Sequence, residues 1–105
     1  MKVKWEREAR GKVLETAQRI QDEYGRIVAA NFLEEVVHVV DLLEQMPYLG
    51  VVEPLLYRSK WKFRSIVTDK RNKLIYLVRE EIVIVDFWDT RMNPTTLVKQ
   101  LMDRY

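Results

Sequence analysis

The stretch YRSKWKFRSIVTDKRNKLIYLVREEIVIVDFWDTRMNP, residues 57–94, decides how this chain folds. Phe63, Ser65 and Val67 alternate with Lys62, Arg64, Ile66 and Thr68, the period of two of a strand with unlike faces. Asp69 to Lys73 has turn chemistry, and Leu74–Val78 follows as a run of branched and aromatic residues. The spacing predicts a hairpin. Arg79, Glu80 and Glu81 make a second charged turn before Ile82–Trp88, which is apolar at every position except Asp86. Such a run suits a strand covered on both faces, so we expect it at the centre of the sheet. Pro94 can donate no ladder hydrogen bond, so the strand ends within Asp89–Asn93 and leaves a polar tip.

Upstream, Ala9, Val13, Ala17, Ile20 and Tyr24 recur every three or four residues, the pattern of an amphipathic helix over Arg7–Tyr24 ended by Gly25. A second helix, from about Arg26 to Gln45, has a wider apolar face of Ala29, Phe32, Leu33, Val36, Val39, Val40, Leu43 and Met46. So short a link predicts an antiparallel hairpin lying over one face of the sheet. Val3-Lys4-Trp5 reads as a short opening strand, and Met46–Gly50 with Pro54 as an irregular passage. Downstream, Asn93 is a helix N-cap with Pro94 in the first turn, and Leu97, Leu101 and Val98 point inward. The class is α+β: a short N-terminal strand, a two-helix hairpin, a three-stranded antiparallel meander and a short C-terminal helix, expected to form one domain over residues 1–105.

A chain of 105 residues with 48% apolar content can bury a core of its own. It has no cysteine, which removes disulfides, thiolate zinc sites and cysteine nucleophiles from consideration. The charged N-terminal residues and the lack of any apolar run near ~20 residues predict a cytoplasmic protein with no export signal and no membrane partner. Net charge is only +2, but residues 1–57 carry 7 basic and 10 acidic residues while residues 58–91 carry 9 and 5. That asymmetry points to a charged partner.

Arg58, Lys60, Lys62 and Arg64 occupy every second position, so in an extended chain they form one basic stripe with Trp61 and Phe63 behind it. The stripe suits the phosphates of a nucleic acid or an acidic protein, and equally the solvated face of a sheet edge. Asp89 and Arg91 follow a buried strand, where side chains are aimed rigidly, and Asp-Thr-Arg also suits a turn closed by an ion pair. His38 stands beside Glu34 and Asp41 on a polar helix face without a second metal ligand, which makes it a solvated histidine. Asp86 needs a cation, Arg64 or another, if its face is buried. Trp61 and Trp88 are expected in the core, with stacking on bases as the alternative. No cofactor or metal motif is present.

The element order, together with F(63)-R-S-I-V, L-I-Y-L-V, I-V-I-V-D-F, D-T-R-M-N-P and the earlier M-P-Y-L-G, resembles the RelE/ParE superfamily of toxins from bacterial type II toxin–antitoxin modules. The likeness spans nearly the whole chain. It implies a toxin neutralised by a cognate antitoxin made from the same operon, with operator DNA bound only through the complex. The RelE-like branch cuts mRNA on the ribosome without a metal. On that branch Arg64 matches the arginine of the first meander strand and Arg91 the arginine after the last strand. Lys60 and Lys62, with Arg58, match residues that hold RNA phosphates. The usual His or Tyr proton donor is absent from the tip, leaving Asp89 as a stand-in base. The ParE-like branch inhibits DNA gyrase without such a site, and a third course for such a chain is a relic that binds its partner but poisons nothing. From the sequence we place the ribonuclease first, because four alternating cations end at Arg64.

Overall fold

The alternation in residues 63–89 becomes a meander in the computed structural model, which describes residues 1–105. The elements in order are β1 (Val3–Trp5), α1 (Arg7–Tyr24), α2 (Arg26–Gln45), β2 (Val51–Val52), a 3-10 turn (Pro54–Leu56), β3 (Arg64–Val67), β4 (Asn72–Val78), β5 (Ile82–Asp89) and α3 (Pro94–Met102). This is the expected α+β class, down to both helix boundaries of the hairpin. Gly25, at φ +94°, ends α1 and starts α2, a conformation that L side chains rarely adopt. Asn93 caps α3 by accepting from the Thr95 amide.

The sheet order is β1-β5-β4-β3-β2, which corrects one expectation and adds two features. The central strand is β4, since β5 has only the short β1 beyond it. The sheet is mixed, because β1 runs parallel to β5, with Val3 opposite Ile82 and Trp5 opposite Ile84. A fifth strand, β2, pairs antiparallel with β3 through Val51 and Val52, and two residues are too few to show a period. β2 is a sheet edge with both valines exposed.

Both faces of the meander are covered, which is why β4 and β5 read as continuous apolar runs. Ala9, Val13, Phe32, Val36 and Leu43 of the helical hairpin pack on Leu74, Tyr76, Ile82, Ile84 and Phe87. Leu97 and Leu101 of α3, with Leu56 and Phe63, pack on Ile75, Leu77, Val85 and Trp88. Trp88, Tyr76 and Phe63 are fully buried, and burial of a large apolar side chain contributes roughly 1.5–3 kcal/mol. The two cores are assigned by a bulge. Ile75 lies opposite Asp86 but Tyr76 opposite Ile84, so Val85 has no partner and the alternation shifts by one. Phe87 therefore joins Ile82 and Ile84 under the hairpin, and Trp88 joins Val85 under α3.

Asp86 sits where β5 outruns β1, and its side chain is fully buried. Its carboxylate accepts from the Phe87 amide and the Trp88 indole, both at 2.9 Å, and meets Lys12 Nζ at 2.7 Å and Arg104 Nη1 at 3.7 Å. The cations that Asp86 requires thus come from α1 and the C-terminal end, and Arg64 is elsewhere. Arg104 also donates to the Val85 carbonyl, and the Tyr105 hydroxyl donates to Glu6. Burial pushes the Glu6 carboxyl up, against the pull of Arg104. The end of the chain thereby closes the sheet edge left open by β1.

Candidate functional site

The basic stripe does not form. Glu53 N–H donates to the Phe63 carbonyl at 2.9 Å, so the chain leaves the sheet after Glu53 and rejoins it at Phe63. Residues 54–62 are an excursion, pinned by the buried Glu53 carboxylate, which accepts from Ser65 Oγ at 2.6 Å and from Lys73 Nζ at 2.7 and 2.8 Å. Arg58, Lys60 and Lys62 are consequently exposed on a loop instead of alternating along a strand. Trp61 and Phe63 do not share a side either: Phe63 is buried, and Trp61 is 37% exposed, contrary to the core placement expected for it. The loop is still cationic and aromatic. Arg79, from the β4–β5 turn, lies 4.5 Å from the Trp61 ring centre and Lys60 lies 5.3 Å from it. Arg58 stacks on Tyr57 and donates to its hydroxyl.

Arg64 opens β3 opposite Tyr76. Its Nη1 donates to the Gly50 carbonyl at 2.8 Å and its guanidinium stacks 5.0 Å from the Tyr48 ring centre, while Gly50 N–H donates to the Tyr76 hydroxyl at 2.8 Å. Arg64 therefore fastens the Tyr48–Gly50 turn to the sheet.

Asp89 lies opposite Asn72, at the other end of β4. Four residues along a strand separate this pair from Arg64, about 13 Å at roughly 3.3 Å per residue. Asp89 accepts from Arg91 three times: backbone N at 2.9 Å, Nε at 3.1 Å and Nη2 at 2.8 Å. These contacts, the side-chain hydrogen bonds first, hold the Asp89 carboxyl down at about 2 and push Arg91 up. The Asp89 pKa is depressed by folding, so its stabilisation is complete above pH ~4 and is lost as pH falls through about 2. We expect the Asp89 carboxyl resonance to titrate near pH 2, and Arg91→Ala to return the midpoint toward ~4. An unchanged midpoint in Arg91→Ala would show that the pair does not govern it.

The six residues singled out in the sequence thus fall into two groups at opposite ends of the sheet. Arg58, Lys60, Lys62 and Arg64 are at one end and Asp89 and Arg91 at the other. The structure adds residues that the sequence did not mark. Arg79 joins the first group around Trp61. At the other end, Arg19 of α1 and Arg71 of the β3–β4 turn line one depression with Arg91. Arg71 gives a sequence signal only as a turn residue, and Arg19 none beyond its place on a polar helix face.

Between the helices lies an apolar groove of ≈ 160 Å³ lined by Trp5, Arg10, Val13, Leu14, Leu33, Val36 and Val37. Leu14 and Val37 are more than half exposed there. His38 is solvated, no group of three or more His, Cys, Asp or Glu side chains is placed to hold a metal ion, and no helix is long and apolar enough to cross a membrane.

No protein-family model matches the chain, and no curated protein matches it in sequence. Among solved structures, the fold is similar to that of a chain described as the chromosomal ParDE TA system from P. aeruginosa. The TM-score is 0.72 at 19% identity, over 87% of this chain and 97% of that one. The chain shares the fold of that chain.

Proposed function

We propose that this chain is the toxin of a toxin–antitoxin pair and that it arrests growth by binding its target, DNA gyrase, instead of cutting RNA. The fold shared with a chain of a ParDE system supports the toxin role. The state of the three residues nominated for chemistry carries the choice of mechanism. Arg64 is engaged with Gly50 and Tyr48, Arg91 is closed on Asp89, and the two arginines are at opposite ends of β4. A carboxylate held at about 2 is a poor base for a 2′-hydroxyl at neutral pH. The ribonuclease remains as a second reading, favoured by the exposed cations Arg58, Lys60, Lys62 and Arg79, none of which has an ion-pair partner, with Lys60 and Arg79 against the exposed Trp61.

Induction of the toxin alone, with ribosome-bound mRNA and DNA-damage reporters followed in one culture, separates the readings. Gyrase binding predicts arrest with trapped gyrase–DNA complexes, a damage response and intact mRNA. Cleaved mRNA without damage reverses the choice, and undisturbed growth removes the toxin reading altogether.

The antitoxin is expected in the apolar groove of the helical hairpin, since exposed apolar surface of this kind marks a partner site. Leu14 and Val37 are exposed, so a charge there leaves the fold intact but is expected to cost about 2 kcal/mol or more of binding, roughly thirtyfold in Kd. Leu14→Asp and Val37→Asp should each show this by calorimetry with the antitoxin. Unchanged affinity in both would place the antitoxin elsewhere.

A further inference from the structure

A depression of ≈ 390 Å³ lies between the second half of α1 and the polar tip, and it is lined by three arginines from three separate elements, Arg19, Arg71 and Arg91. We propose that it is a binding site for a nucleotide, with the phosphate on Arg19 and Arg71 and the base against Tyr24 and Ile20. Arg91, matched above to the ribonuclease branch, lines the site, but the proposal rests on neither toxic mechanism and its test reads binding alone.

The nearby carboxylates are already engaged. Asp89 is closed on Arg91, and Asp69 accepts from Arg71 N at 2.7 Å, Asn72 N at 2.9 Å and Asn72 Nδ2. The Arg19 and Arg71 guanidiniums are exposed and have no hydrogen-bond or ion-pair partner in the chain, so two planar forks of donors line the depression without a protein acceptor, against the single lining carboxylate of Glu23. Two forks match the several oxygens and double charge of a phosphate monoester better than a carboxylate, which fills one.

The backbone beneath two of the cations is tied together. The Arg71 carbonyl accepts from Thr90 N at 2.7 Å and Thr90 Oγ1 at 3.0 Å, which ties the β3–β4 turn to the segment bearing Arg91. On the α1 side, Tyr24 is exposed and Ile20 partly buried, the two apolar residues of the lining. Aromatic faces accept any base by stacking. The volume falls in the lower part of the range for small-ligand sites.

The test is a titration of the folded protein with AMP, inorganic phosphate and a single-stranded tetranucleotide, following arginine Nε–H and backbone amide resonances. AMP is expected to bind saturably with Kd below ~10 mM, shifting Arg19 and Arg71, while phosphate binds the same residues more weakly. Tighter binding of the tetranucleotide at these residues would assign the phosphate to a nucleic-acid strand. Arg19→Gln and Arg71→Gln, at exposed positions without partners, should keep the native spectrum and each weaken AMP roughly tenfold. No saturable shift with any of the three, shifts confined to Arg58, Lys60 and Lys62, or undiminished affinity in both variants would overturn the proposal.

Discussion

Asp86→Ala is expected to lose about 3–5 kcal/mol, the range for removing one partner of a buried charge pair and a large share of a small domain's stability. The carboxylate is fully buried and is the acceptor for the Trp88 indole and the Phe87 amide, so both donors would be left without a partner. Lys12 and Arg104 would at the same time lose the charge that draws them to the sheet edge. Lys12→Met removes a cation that is 31% exposed and leaves Arg104 facing Asp86, so it should cost less, about 1–2 kcal/mol. Urea unfolding of both variants measures the difference. Equal costs would mean that the Lys12 contact, and not the carboxylate with its four partners, holds the edge.

Gly50→Ala is expected to detach β2 and cost about 2–4 kcal/mol through overpacking and a broken buried hydrogen bond. A Cβ at this position would lie 2.6 Å from both the Ser65 carbonyl and the Tyr76 hydroxyl. The first is sheet backbone and the second belongs to a fully buried ring, so neither can yield. The Gly50 amide bond to Tyr76 and the Arg64 bond to the Gly50 carbonyl would be lost together. Tyr76→Phe removes only the acceptor and should cost about 1 kcal/mol. Hydrogen exchange at the Gly50 amide and the amides of β2 and β3, read beside urea unfolding, locates the damage. Unchanged protection in Gly50→Ala would show that the turn has room for a methyl group.

The candidate functional residues were the least legible part of the sequence. The period of two from Phe63 to Val67 was real, but extending it back to Arg58 was not, because alternation among charged residues carries no burial preference to keep a chain extended. The excursion is set by Glu53, whose partners Ser65 and Lys73 are 12 and 20 residues away. Arg19, Arg71 and Arg91 likewise meet only because α1 crosses the tip.

What the sequence determined by itself was everything that rests on local periodicity and on residues with one strong conformational preference. The 3.6-residue repeat placed α1 and α2, Gly25 parted them, the apolar runs placed β4 and β5, and Asn93-Pro94 started α3. The tertiary structure decided whatever depends on partners distant in the chain: the parallel pairing of β1, the edge strand β2, the central place of β4 and the bulge at Val85. It also decided which arginines are free. Arg64 and Arg91 are occupied by Gly50 and Asp89, whereas Arg19 and Arg71 are not, because a guanidinium's partners are fixed by packing and not by its neighbours in sequence.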